Sequence, residues 1–146
     1  MRAGPEAALV ADYLARFDRS ARPLGLGPAT VVEVEDRRGG GPAAEAALIA
    51  AALPRGARLV VLDERGASPT SPEFASMMRG WADGGLRDLA LAIGGPDGLD
   101  AGLRARADGA IALGRMVWPH MLARVMLAEQ LYRAATILAG GPYHRM

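Results

Sequence analysis

Two short apolar runs constrain this chain more than any other feature. Arg58–Leu62 (RLVVL) is bounded by Pro54, Gly56 and Gly66, and Leu89–Ile93 (LALAI) follows Gly84-Gly85 and runs straight into Gly94-Gly95. Five residues are too few for a buried helix. A run of consecutive apolar residues, without alternation, is the pattern of a strand covered on both faces. Strands of that kind belong to parallel sheets, in which each neighbour is reached through a crossover that is usually helical. The segments around them fit. Pro5–Phe17 places Leu9, Tyr13, Leu14 and Phe17 on one stripe, and Pro42–Leu53 is an alanine-rich helix. Ser71, followed by Pro72 and Glu73, reads as the N-cap of a helix carrying Phe74, Met77, Met78 and Trp81. Leu99–Ala107 is a short helix, and His120 to about Leu138 is the longest, ended by Gly140-Gly141-Pro142. Thr30–Val34 and Ala110–Leu113 read as further short strands, with Arg19–Pro28 a loop. The predicted class is α/β, a largely parallel sheet with helices on its faces, and 146 residues suffice for one such domain.

Composition excludes several functions. No run approaches the roughly 18 apolar residues of a membrane span. The N-terminus lacks the basic, then apolar, then small-residue order of a secretory signal, and there is no cysteine. A cytoplasmic protein without disulfides, thiolate metal sites or a membrane partner is expected, and no metal is called for. The chain also has no lysine, so P-loop nucleotide chemistry is excluded. The net charge of +1 is too small to announce a nucleic-acid binder. Its distribution is uneven: residues 1–112 hold 13 arginines against 15 acidic residues, whereas residues 113–146 hold Arg115, Arg124, Arg133 and Arg145 against Glu129 alone. Both histidines, His120 and His144, lie in that last quarter. An anionic partner is expected there, although any single arginine is better explained by solubility.

Three segments carry candidate chemistry. The first is Gly94-Gly95-Pro96-Asp97-Gly98, at the carboxyl end of a parallel strand, where open α/β sheets bind ligands. Its glycines admit a ligand close to the backbone, or else simply make a tight turn. Gly39-Gly40-Gly41 reads as a linker in preference to a phosphate cradle. The second segment is Leu113–Arg124 (LGRMVWPHMLAR), where an aromatic, an imidazole and two guanidinium groups converge at a helix start. Trp118 as core and His120 as a helix-start residue is the competing reading. The third is the tail Tyr143-His144-Arg145, which combines the stacking, hydrogen-bonding and charged groups that hold an unpaired RNA base and its phosphate.

Together, IGGPDGL (93–99), PHMLARVMLAEQLYRA (119–134) and PYHR (142–145) closely resemble the SPOUT-class large-subunit rRNA methyltransferase H family. The resemblance is densest over residues 58–146 and continuous over 1–57. It implies a SPOUT-type parallel sheet with helices on both faces and a deep C-terminal trefoil knot, an exception to the rule that chains do not thread. The activity it implies is methylation of N3 of a pseudouridine in helix 69 of 23S rRNA, with S-adenosyl-L-methionine as cofactor, by a homodimer acting on the assembled 70S ribosome. Carried onto this sequence, the cofactor contacts fall at Leu62, Gly94, Gly95, Leu113, Gly114, Arg115, Met116, Val117 and Trp118. The RNA-facing set is His120, Arg124, Arg133, Tyr143, His144 and Arg145, with Arg124, His144 and His120 at the chemistry. The chain departs from the family in three ways: Trp118 where many members have leucine, Arg115 where they have a small residue, and no strand ahead of Met1-Arg2-Ala3-Gly4-Pro5. The alternative is a non-catalytic SPOUT-like ribosome or RNA binder, which a cofactor-binding titration separates from the enzyme. An unrelated Rossmann-like enzyme is opposed by the lack of a GxGxxG turn.

Overall fold

The structure is a computed structural model that describes residues 4–35, 38–95 and 98–145. Along the chain run α1 (Pro5–Ala21), a single 3-10 turn (Arg22–Leu24), α2 (Gly41–Ala52), β1 (Arg58–Ala67), α3 (Ser71–Asp83), β2 (Leu89–Ala92), α4 (Ala101–Arg106), β3 (Gly109–Ile111) and α5 (His120–Ala139). These fall into two compact units. One comprises Met1–Val31, Pro69–Gly85 and Met121–Met146, the other Val32–Ser68 and Leu86–His120.

The second unit holds the sheet, three parallel strands in the order β2-β1-β3. The fully apolar run is its centre. Leu59, Val60 and Val61 are all buried, as expected for a strand flanked on both sides. Leu59 and Val61 share a cluster with Ala92 and Leu103, against which Ala46 and Ile49 of α2 and the nearby Leu53 pack. Each fully buried Leu or Val contributes about 1.5–3 kcal/mol of transfer free energy. Asp108 locks the entry to β3, because its carboxylate accepts the Leu59 N–H at 2.8 Å and its own N–H donates to the Leu59 carbonyl at 2.8 Å.

Strand β1 extends five residues beyond the apolar run. Val60, Val61 and Leu62 oppose Gly109, Ala110 and Ile111 in turn, and then Ala67 again opposes Ile111, so β1 bulges between Leu62 and Ala67. Gly66 makes the bulge possible: a Cβ there would fall 2.7 Å from the Ala110 carbonyl carbon. Only a residue without a side chain lies that close to a neighbouring backbone.

The expected strand Thr30–Val34 does not form. Its alternating valines suit an extended backbone, but a strand also needs a neighbour to take its N–H and C=O groups. Among the described residues the strands pair only with one another, and Val31 and Val32 stay exposed.

The first unit is helical. Helix α1 continues past Phe17 to Ala21, since nothing in Asp18–Ala21 opposes a helix. The stop comes at Gly25, in the left-handed region at φ 74°. Helix α3 is capped by Thr70 and not by Ser71. The Thr70 hydroxyl accepts the Glu73 N–H at 3.2 Å and the Glu73 carboxylate accepts the Thr70 N–H at 2.8 Å, a capping box. Ser71, freed from capping, donates its hydroxyl to Gln130 Oε1 at 2.7 Å and ties α3 to α5.

Candidate functional site

In the second unit the expected cofactor residues gather where the parallel strands run out. Val61 pairs with Ala92, the last residue of β2, and Leu62 pairs with Ile111, the last of β3. Leu62 is half-buried at that edge. Gly94 and Gly95 leave β2 two and three residues on, and Leu113 leaves β3 two residues on. The glycine turn closes on itself: Gly98 donates its N–H to the Gly95 carbonyl at 3.0 Å, and a Cβ on Gly94 would lie 2.8 Å from Gly98 backbone. Pro96 and Asp97 lie outside the described residues. Glu45 of α2 reaches this turn and accepts the Gly95 N–H at 3.3 Å. Beside Leu62, Asp63 pairs with Arg104 at 3.4 Å and accepts the Arg65 N–H at 3.0 Å.

The loop after β3 is apolar and open. Met116 is 72% exposed, Val117 75% and Trp118 39%, with Gly114 and Arg115 also exposed. Trp118 is not core; its indole N–H donates to the Leu113 carbonyl at 3.1 Å and folds the loop back on its own start. Three apolar side chains standing in water are costly unless a ligand or partner covers them. A glycine turn that leaves the backbone uncovered, beside apolar walls, fits an adenine and a methionyl chain, which need few charged partners. His120, half-buried, begins α5.

In the first unit the tail folds back on α5. Glu129 accepts Arg133 Nη2–H at 2.7 Å and Nε–H at 3.3 Å, a two-point pair, and the Tyr143 hydroxyl at 2.7 Å. Arg133 Nη1–H reaches His144 Nδ1 at 3.0 Å. The bond to Glu129 favours the charged guanidinium of Arg133. Burial, and then the bond to Glu129, push the Tyr143 phenol well above the ordinary 10.0. The Tyr143 ring packs against Tyr132 at 4.5 Å with the two planes tilted by 54°, and lies 4.9 Å beneath the Arg133 guanidinium. Tyr132, Tyr143, Thr136, Ser20, Pro23 and the exposed Arg145 line a groove of about 580 Å³. Thus Arg133, Tyr143 and His144 are brought together, Arg145 sits at the groove, and Arg124 is half-buried on α5.

A family model described as "Predicted SPOUT methyltransferase" matches residues 1–144. The chain belongs to the SPOUT methyltransferase family. Its curated relatives include proteins named "Ribosomal RNA large subunit methyltransferase H" from Dinoroseobacter shibae, 66% identical, from Cereibacter sphaeroides, 68% identical, and from a Ruegeria species, 60% identical. Each of these similarities spans 146 residues, all of this chain and 94% of the relative. The SPOUT chain is accordingly an enzyme of the methyltransferase class. Its α/β architecture with a parallel sheet agrees with that family. Among the described residues no group of three or more His, Asp or Glu could hold a metal ion, and no helix is long and apolar enough to cross a membrane.

Two residues of these sites escaped the sequence reading. Glu129 stands out in the sequence only as the single acidic residue of a basic segment, because its link to the tail spans 14 residues. Glu45 carries a usable signal, being the one charged residue of α2, GPAAEAALIAAA.

Proposed function

We propose that this SPOUT methyltransferase transfers a methyl group from S-adenosyl-L-methionine to N3 of a pseudouridine in helix 69 of 23S rRNA. It would do so as a cytoplasmic homodimer on the assembled 70S ribosome, the whole chain forming one SPOUT domain with a C-terminal trefoil knot. The observation that carries this reading is identity of 60–68% over the whole chain to relatives named for large-subunit rRNA methylation.

When bound, the cofactor supplies a methyl group made electrophilic by its sulfonium. Leu62, Gly94, Gly95, Leu113, Gly114, Arg115, Met116, Val117 and Trp118 would hold it through backbone groups and apolar walls. The rest falls to the RNA-facing residues. Pseudouridine N3–H is an imide flanked by two carbonyls, and it must lose its proton to become a nucleophile. A fixed positive charge near the base favours that anion, which is the role assigned to Arg124. His144 positions the base, with His120 the alternative proton acceptor. Arg133, Tyr143 and Arg145 contribute charge and a stacking face to the RNA. The small net charge makes free RNA a poor ligand, since affinity follows the number of phosphates neutralised, so a preformed ribosomal surface is the expected substrate.

The test is tritiated methyl transfer from S-adenosylmethionine to 70S ribosomes from a strain lacking this methylation. Label confined to helix 69 is expected. A folded protein that binds cofactor yet labels nothing would refute the reading.

A further inference from the structure

The tail cluster contains an unused hydrogen-bonding atom. Arg133 spends Nε and Nη2 on Glu129 and Nη1 on His144 Nδ1. A guanidinium has only donors, so Nδ1 of His144 presents its lone pair and the ring proton resides on Nε2. That Nε2 is buried, with no hydrogen-bond partner among the described residues. A buried polar atom without a partner in a folded protein calls for an explanation, and a donor held for a substrate, which must displace the covering tail to reach it, is one. With its lone pair engaged by Arg133 and its other nitrogen already protonated, this imidazole is arranged to give a hydrogen bond and not to receive a proton. Tyr143 cannot replace it as a base, because its own hydroxyl proton is held by Glu129 at 2.7 Å.

We infer that Glu129 is a positioning residue which, through Arg133, fixes His144 in the Nε2–H tautomer, so that His144 donates to a carbonyl oxygen beside N3 of the target base. This rests on the function proposed above. Loss of the N3 proton to His120, the acceptor named in the proposed function, spreads negative charge onto the two flanking carbonyls, and a preorganised N–H donor aimed at one of them strengthens as that charge develops. Glu129 touches no substrate in this scheme. Its two-point grip restricts the guanidinium to one orientation, and that orientation dictates which imidazole nitrogen carries hydrogen. The arrangement parallels sites in which a third residue sets the tautomer of a catalytic histidine.

The test uses the full chain labelled with ¹⁵N-histidine. His120 and His144 are its only histidines, and a His120→Gln variant assigns the signals. Long-range ¹H–¹⁵N correlation of the otherwise unaltered chain near neutral pH should show His144 with a pyridine-type Nδ1 and a pyrrole-type Nε2. A ring protonated on Nδ1, alone or on both nitrogens, overturns the inference without any variant having to fold. In Glu129→Gln the signals should move to a tautomer mixture. The same variant should lose kcat for ribosome methylation by on the order of a hundredfold, with KM for ribosomes and the affinity for S-adenosylmethionine within about twofold of the original. A Glu129→Gln protein with unchanged tautomer and unchanged kcat removes Glu129 from the role. If the unaltered chain methylates no ribosomes, the proposed function falls and the carbonyl role with it, whereas the wrong tautomer sinks the present inference alone.

Discussion

Replacing Gly66 by alanine would place a methyl carbon 2.7 Å from the Ala110 carbonyl carbon, 2.8 Å from its oxygen and 2.8 Å from the Ile111 nitrogen. Unbonded carbons rest at about 3.5–4.0 Å, so strand β3 must retreat by more than about half an ångström. It is not free to do so. Gly109, Ala110 and Ile111 are in register with Val60, Val61 and Leu62, and Ala112 donates its N–H to the Ala67 carbonyl at 2.8 Å. Overpacking costs about 1–3 kcal/mol, and one broken ladder bond adds about 1 kcal/mol. With a urea m-value of about 2 kcal/mol/M, the resulting 2–4 kcal/mol corresponds to a midpoint about 1–2 M lower. Because β3 feeds directly into Leu113–Trp118, S-adenosylmethionine affinity should fall as well, even in buffer where the variant is folded. Urea unfolding followed by circular dichroism, paired with calorimetric titration of the cofactor, checks both. A midpoint within about 0.2 M of the unsubstituted protein, inside the scatter of such measurements, would refute the claim that Gly66 holds the bulge against β3.

Three further outcomes are expected. Asp108→Ala strands the N–H of buried Leu59 and should cost about 1–3 kcal/mol in urea unfolding, while Asp108→Asn, which keeps an acceptor oxygen, should cost clearly less. Gly95→Ala puts a methyl group 2.8 Å from Glu45 Oε2, the movable end of a side chain; stability should change by less than about 1 kcal/mol, yet calorimetry should show several-fold weaker cofactor binding as the turn loses its anchor. The raised phenol of Tyr143 means that the folded state holds this proton more tightly than the unfolded chain does. Its contribution is therefore complete below the ordinary value of 10.0 and is lost as pH rises beyond it, so the unfolding midpoint of the unsubstituted protein should fall at alkaline pH and Tyr143→Phe should flatten that fall.

The parts of this molecule that could be read from sequence are those set by local pattern. Leu59, Val60 and Val61 announce a central strand because every position is apolar, and the glycines after β2 mark where that strand gives way to a turn. Where local pattern and tertiary pairing compete, the reading fails for a physical reason. Thr30–Val34 has the residues of a strand, but among the described residues the three strands pair only with one another. Ser71 has the chemistry of a cap, but Thr70 one residue earlier faces Glu73 at the reciprocal spacing and takes the role. The tail shows the same limit at the site itself. Tyr143, His144 and Arg145 are RNA-type residues in any order of reading, yet what each can do depends on the turn at Gly140, where φ is 75° and the Gly141 N–H donates to Thr136 at 2.8 Å. That turn brings residue 143 back to residue 129, a contact no helical periodicity contains. Once made, it commits the Tyr143 hydroxyl inward to Glu129 and aligns Arg133 on His144. The acidic residue that sequence reads as a minor charge in a basic segment thereby becomes the group on which the tail's hydrogen-bonding pattern depends.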